Sequence, residues 1–205
     1  MSERATSATT VDLSQFQVRD YDPGAGLFVR TAWFLFGLPL LRCSVLPSSL
    51  LRRGLLRLFG ATIGVGVVIK PGVRVKYPWK LKIGQHCWIG EDAWIDNIAA
   101  VSLGDNVCIS QGAYLCTGNH NWKDRAFGLI ALPISIDDGA WVAARASVAP
   151  GVVIGRSAIV GFGAVILRDV PPHEIHTGNP ATFVRYREIG TKNEPCSLAT
   201  ASGSF

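Results

Sequence analysis

Charge is scarce in this chain: Asp, Glu, Lys and Arg make up 17% of its 205 residues, against 48% that are hydrophobic. That balance excludes a disordered polyelectrolyte and leaves one packed domain with appendages. No basic run exceeds Arg52-Arg53, so the net charge of +5 traces no stripe for nucleic acid, and no such partner is expected. Anionic small molecules suit the excess equally well. Methionine is nearly absent. The five cysteines (Cys43, Cys87, Cys108, Cys116, Cys196) are an odd number with no CxxC or zinc-finger spacing. They read as free thiols in a reduced, cytoplasmic setting. The opening MSERATSATT lacks the apolar stretch of a secretory signal. Leu27 to Leu41 is apolar, but it is interrupted by Arg30 and Pro39 and falls short of the roughly 20 residues a membrane span needs.

What is present is a period of six. Fifteen aliphatic residues step through 61–170: Ile63, Ile69, Val75; Ile83, Ile89, Ile95; Leu103, Ile109, Leu115; Ile136, Val142, Val148; Ile154, Val160, Ile166. Such a period marks a solenoid whose coils stack over one continuous core. With each aliphatic as position one, position five is nearly always small, as at Cys87, Ala93, Ala113, Ala140, Ala146, Ala158 and Ala164. Position four is rich in residues that tolerate a left-handed backbone, such as Gly66, Gly72, Gly112, Gly118, Gly139, Gly151 and Gly163, with Asp92, Asn106 and Asp169. The pattern predicts a mainly β fold: a parallel β-helix of about five triangular coils, stacked at about 4.8 Å.

The flanks are different. Residues 1–26 are Ser/Thr-rich and are expected to form a flexible N-terminus, and residues 189–205 a flexible tail. Residues 27–60 are apolar with five arginines interspersed. Leu50, Leu51, Leu55, Leu56 and Leu58 cluster on roughly one helical face. Two readings fit: helices capping the open end of the solenoid, or a membrane-surface helix with arginines at the headgroups.

The six-residue step breaks three times, always after the third member of a triplet: 75→83, 95→103 and 115→136. All three breaks therefore fall on one corner of the prism. Stacking in register sets Asp96-Asn97 one coil below Cys116-Thr117, with Asn119-His120 just beyond. Position five is Asn119 here and Trp79 two coils lower.

Three segments resemble the hexapeptide-repeat acyltransferases: CISQGAYLCTGNHNWKDRAFG (108–128), DDGAWVAARASVAPGVVIG (137–155) and VPPHEIHTGNPATFVRYR (170–187). The likeness is to the colanic acid and exopolysaccharide branch of the maltose/galactoside acetyltransferase superfamily. It covers about residues 27–187, including the GNPA segment at 171–188. The resemblance implies a left-handed β-helix and a cytoplasmic homotrimer with active sites between subunits. It also implies acetyl-CoA as acyl donor, no metal, and a sugar or oligosaccharide acceptor. His120 would be the general base, an imidazole being mostly neutral near pH 7. Asp96 or Asn97 would orient it or the acceptor, or serve only as turn residues, and a backbone N–H or an Asn side chain near the corner, Asn119 among them, would hold the oxyanion. Tyr114 and Trp122 would wall the sugar site. Pantetheine would run past Ala143, Ala144, Gly161 and Ala164, and phosphates would meet Arg145, Arg168 and Arg185. Thr182 departs from the arginine often found there.

Two other readings compete. A γ-class carbonic anhydrase uses the same prism but needs an H-x₄-H pair, which His86, His120, His173 and His176 do not supply. A non-enzymatic scaffold gives no reason for His120 and its loop.

Overall fold

The computed structural model describes residues 10–16, 18, 21–45 and 48–190. Its body is a parallel β-helix. The first coil is β1 (Thr62–Ile63), β2 (Val68–Ile69) and β3 (Arg74–Val75); the second is β4 (Leu81–Ile83), β5 (Trp88–Ile89) and β6 (Trp94–Asp96). The third is β7 (Val101–Leu103), β8 (Cys108–Ile109) and β9 (Tyr114–Cys116). A hairpin, β10 (Gly118–His120) and β11 (Leu129–Ala131), interrupts the path. The fourth coil is β12 (Ile134–Ile136), β13 (Trp141–Val142) and β14 (Ser147–Val148), and the fifth β15 (Val153–Ile154), β16 (Ile159–Val160) and β17 (Val165–Ile166). A sixth turn begins where Val170 bridges Ile154 and β18 (Glu174–Gly178) pairs β16; β19 (Ala181–Tyr186) folds back against β18.

The register is the one the period predicts. Ile63, Ile83, Leu103, Ile136 and Ile154 are stacked partners on the first wall. Ile69, Ile89, Ile109, Val142 and Val160 form the second column, and Val75, Ile95, Leu115, Val148 and Ile166 the third. All fifteen are buried, with the small position-five residues between them. Each coil alone could not bury its aliphatic face, so the stack stands or falls together.

An end coil leaves a row of unpaired backbone groups, and residues 27–59 close it. They form α1 (Leu27–Ala32), a π-helical turn (Trp33–Gly37), α2 (Leu38–Arg42) and α3 (Ser49–Leu58). Trp33, Leu41 and Leu56 join the core. Side chains then meet the open edge on every wall. Trp33 Nε1 donates to the Val75 carbonyl (3.1 Å) and Arg57 Nη2 to that of Ile63 (2.6 Å). Ser49 Oγ accepts from Ile69 N–H (2.8 Å). The capping reading of this segment therefore describes its inner face. Among the described residues no helix is long and apolar enough to cross a membrane.

The expectation of a flexible 1–26 meets contacts in its described part. Residues 1–9 lie outside the described residues, as do 191–205 of the expected tail, but much of 10–26 is laid along the irregular corner. The Tyr21 hydroxyl donates to the Ile98 carbonyl (3.1 Å), Trp79 Nε1 to that of Pro23 (2.6 Å) and Lys80 Nζ to that of Asp22 (2.6 Å). Trp79, too large for position five, thus packs outward against this strand of chain. The segment is ordered by groups the corner leaves unpaired.

Candidate active site

The corner between the third and first walls holds every break in the repeat, and two buried polar side chains stabilise it. Asn97 is fully buried; its Oδ1 accepts from Tyr77 N–H (2.9 Å) and its Nδ2 donates to the Tyr77 carbonyl (2.7 Å). Thr117, also fully buried, donates to the Asp96 carbonyl (2.9 Å) and accepts from Ala99 N–H (2.9 Å). Its own carbonyl takes Leu132 N–H (2.9 Å), which closes the base of the hairpin.

Two expected site residues are held by other partners here. Both ends of the Asn97 amide are engaged by the backbone of one residue, Tyr77, through its N–H and its carbonyl. Asp96 pairs with Lys76 through Oδ1 (3.1 Å) and accepts the Tyr114 hydroxyl through Oδ2 (3.2 Å). Both side chains brace the corner.

His120 ends β10, paired with Leu129 across the hairpin. Its backbone N–H donates to Asn119 Oδ1 (2.8 Å), and its ring Nδ1 lies 2.9 Å from the Phe127 carbonyl oxygen. A carbonyl can only accept, so Nδ1 carries a proton, and in the neutral imidazole the lone pair is on Nε2. The Phe127 ring stacks on the imidazole at 4.4 Å and 8°, and Phe16 meets it at 5.7 Å, tilted 57°. One carbonyl and two rings thus set tautomer and orientation together. Phe127 reaches this position by taking a left-handed backbone, φ +51°. The hairpin tip is tied to the N-terminal segment, where Asp12 N–H donates to the Arg125 carbonyl (2.9 Å).

Tyr114 stands on the third wall and stacks on Trp94 (4.6 Å), which carries Arg74 on its other side (4.4 Å). Burial, then Cys116 and Asp96, hold its phenol well above the usual tyrosine range. Trp122 is exposed near the hairpin tip beside Lys123.

The expected coenzyme residues divide. Ala144 and Gly161 are partly exposed at the corner between the second and third walls, whereas Ala143 is nearly covered. Gly161 has Thr177 against it, so a side chain there would collide. Ala164 is withdrawn from any coenzyme contact: it is fully buried at inward position five, part of the core column. Arg145 is exposed at that same corner with φ +58°. Arg168 lies on the corner that bears the hairpin, one coil beyond Gly151, and Arg185 on edge strand β19.

Phe127, Phe16 and Thr117 were missed by sequence reasoning. Phe127 acts through its carbonyl, a group every residue has, so nothing in its identity announced it. Thr117 had a signal: a polar residue two positions after an inward aliphatic, next to the long break. Among the described residues no group of three or more His, Cys, Asp or Glu is gathered as a metal would require. His86 is a turn residue at φ +55°, and His176 pairs with Glu174 (2.7 Å). Cys43, Cys87, Cys108 and Cys116 are free thiols; Cys196 lies outside the described residues.

Comparison with known proteins accords with this architecture. Residues 133–168 match the family model "bacterial transferase hexapeptide (six repeats)", and 80–116 that of the hexapeptide repeat of succinyl-transferase. The putative colanic acid biosynthesis acetyltransferase WcaF of Escherichia coli K12 is 37% identical over 176 residues, 86% of this chain and 97% of that protein. The galactoside O-acetyltransferase of the same organism is 28% identical over 68% of this chain and 70% of its own length. Among solved structures, a hexapeptide-repeat acetyltransferase of Vibrio cholerae complexed with acetyl coenzyme A superposes with a TM-score of 0.73 at 22% identity, covering 86% of this chain and 97% of that one. The prism, its matched repeats and the near full-length likeness together establish that this chain belongs to the hexapeptide-repeat acetyltransferases, in the branch of the colanic acid biosynthesis enzymes.

Proposed function

We propose that the protein transfers acetyl from acetyl-CoA to a sugar hydroxyl, with His120 as general base, in the assembly of a surface polysaccharide. The observation that carries this is the imidazole held at Nδ1 by the Phe127 carbonyl, which in the neutral ring puts the lone pair on Nε2. The acceptor hydroxyl gives its proton to Nε2 as its oxygen attacks the thioester carbon. The tetrahedral intermediate then collapses, the C–S bond breaks, and the imidazolium returns the proton to the departing sulfur. An acetyl ester and free CoA thiol result, without an acyl-enzyme. The Asn119 Nδ2, which has no hydrogen bond among the described residues, or a backbone N–H of the hairpin, would hold the oxyanion.

The donor is argued from the Vibrio cholerae relative complexed with acetyl coenzyme A, and the acceptor class from the galactoside and colanic acid relatives. Ala144 and Gly161 would let pantetheine approach the backbone, with Arg145, Arg168 and Arg185 for its phosphates. Tyr114 and Trp122 would flank the sugar. The active form would be a homotrimer working in the cytoplasm, where its donor is made. Two exposed tryptophans favour assembly: Trp88 and Trp141 share a column on the second wall, each in register with Cys108, an apolar strip suited to a neighbouring prism.

The test is thiol release from acetyl-CoA with oligosaccharide acceptors. His120→Ala should lower the rate by about 10²–10⁴, the usual worth of a general base. A rate equal to that of the unaltered protein would remove His120 from the chemistry.

A further inference from the structure

The helical cap is inside out. In α3 the residue turned fully inward besides Leu56 is Arg52, at 1% exposure, where its Nε and Nη2 donate to the carbonyls of Leu41 and Cys43. Leu50, Leu51 and Leu58 face solvent at 67, 56 and 79%. The helix before it repeats the pattern. Trp33, Gly37 and Leu41, four residues apart, face the coil, while Phe28, Leu35, Phe36 and Leu40 point away. Phe28 is 86% exposed and Phe36 72%. The two outward faces meet in an apolar groove of about 360 Å³ bordered by Leu40, Leu50, Leu51, Leu55 and Leu58. A helix in water ordinarily buries its leucines and exposes its arginines. Here the burial of Trp33, Leu41 and Leu56 and the capping of the first coil use up the inner face, and a large apolar surface is left over.

Charge identifies what that surface meets. Residues 27–59 contain five arginines and no acidic residue, whereas the whole chain has 20 basic and 15 acidic residues. The remainder therefore holds fifteen of each and is neutral, so the cap carries the entire net charge of +5. Arg42 is exposed, Arg57 is exposed although its Nη2 caps the first coil, and Arg30 and Arg53 are half-buried. An apolar face with only positive charge around it, and none of the neutralising acids a protein partner's basic groups would need, is complementary to an anionic bilayer. We infer that the outer face of α1 to α3 docks on an anionic membrane surface, with leucines and phenylalanines entering the headgroup boundary and arginines meeting the lipid phosphates. The β-helix would then rise from the membrane on its first coil, with β18 and β19 at the far end. This docking is independent of the transfer chemistry at His120.

The experiment is flotation of the full chain with phosphatidylcholine vesicles, with and without about one third phosphatidylglycerol. The comparison variant carries Phe28→Ser, Phe36→Ser, Leu51→Ser and Leu58→Ser. These side chains are outside the core, so the thermal melt of the variant should match that of the parent, and thiol release with a free acceptor should be unchanged. Partition onto anionic vesicles should exceed that of the variant by about tenfold or more, weaken with salt, and be much lower on neutral vesicles. Flotation equal in the two proteins, or absent in the parent, would overturn the inference. So would equal binding to neutral vesicles without salt dependence. A parent that forms a larger particle than the variant in the absence of lipid, yet does not float, would make the face a contact between copies of this chain instead.

Discussion

The prism has two kinds of corner. At the first, the fourth residue of each hexapeptide (Gly66, His86, Asn106, Gly139, Ser157) has φ between +55° and +69°. At the second, Gly72, Asp92, Gly112, Arg145 and Gly163 lie between +57° and +77°. At the third, only Gly151 is left-handed (+83°), while Pro78, Ile98, Gly118 and Asp169 are not. A left-handed residue turns the chain within a few bonds and returns it in register, so its backbone groups pair with the coils above and below. Where that device is missing the chain makes longer excursions, and side chains must complete the hydrogen bonding. Outside the cap, the buried polar residues among those described are Asn97 and Thr117, both at this corner. Side-chain chemistry collects where the backbone stops satisfying itself, and the imidazole is found there too.

A pair of histidine substitutions tests that contrast most severely. His120→Ala, at the irregular corner, should cost about 10²–10⁴ in turnover with little change in melting. His86→Gly, at a regular corner where φ is +55°, should leave turnover alone; a comparable loss there would break the distinction. Next in size, Ile109→Ala at the middle of the second column, fully buried, should destabilise by about 2–5 kcal/mol, read from the urea midpoint. A smaller loss would mean that the stack is less continuous than its register implies. Asn97→Ala strips Tyr77 of both partners, at about 1–3 kcal/mol for each group left unsatisfied. Asp105→Ala, which removes one exposed acceptor (Gln85 N–H, 2.6 Å), should cost only about 1 kcal/mol. If Asp105 proved the more costly, the irregular corner would not depend on its buried polar groups.

The core columns were legible because inward aliphatics at a fixed step leave a composition signal that nothing else produces. The irregular corner was legible as a failure of that step, and so was the loop that bears His120. Its internal geometry was not, since the Phe127 carbonyl and the Tyr77 N–H and carbonyl are backbone atoms that carry no residue identity. Asp96 and Asn97 were rightly placed beside Cys116 and Thr117, yet position alone could not reveal that Lys76, Tyr114 and Tyr77 engage them. Gly118 and Asp169 suited a left-handed turn by type. The first instead enters β10, and the second accepts Val153 N–H (2.8 Å) through its side chain. In α3 the leucine cluster was visible, but not its direction, because the carbonyls of Leu41 and Cys43 draw Arg52 inward.

A comparably small effect falls on Tyr114, which stands on a regular wall but reaches toward the irregular corner. Tyr114→Phe removes the hydrogen bond to Asp96 Oδ2 (3.2 Å) and keeps the stack on Trp94, so the loss near pH 7 should be about 0.5–1.5 kcal/mol. Burial first, then Cys116 and Asp96, raise the phenol above its ordinary value. The folded chain therefore holds this proton after the unfolded chain, with a tyrosine pKa of about 10, has begun to lose it. Stability from this source is complete below pH 10 and drains as pH rises above it, because the unfolded state then binds fewer protons than the native one. The phenylalanine variant has no proton to lose at this position, so the gap between the two proteins should narrow as urea midpoints are followed upward from pH 10. Other tyrosines and the lysines titrate in both proteins and cancel in the difference. A gap that stays constant or widens would mean that Tyr114 meets water more freely than its place between Trp94 and Asp96 allows, and that the wall beside the corner is no more closed than the corner itself.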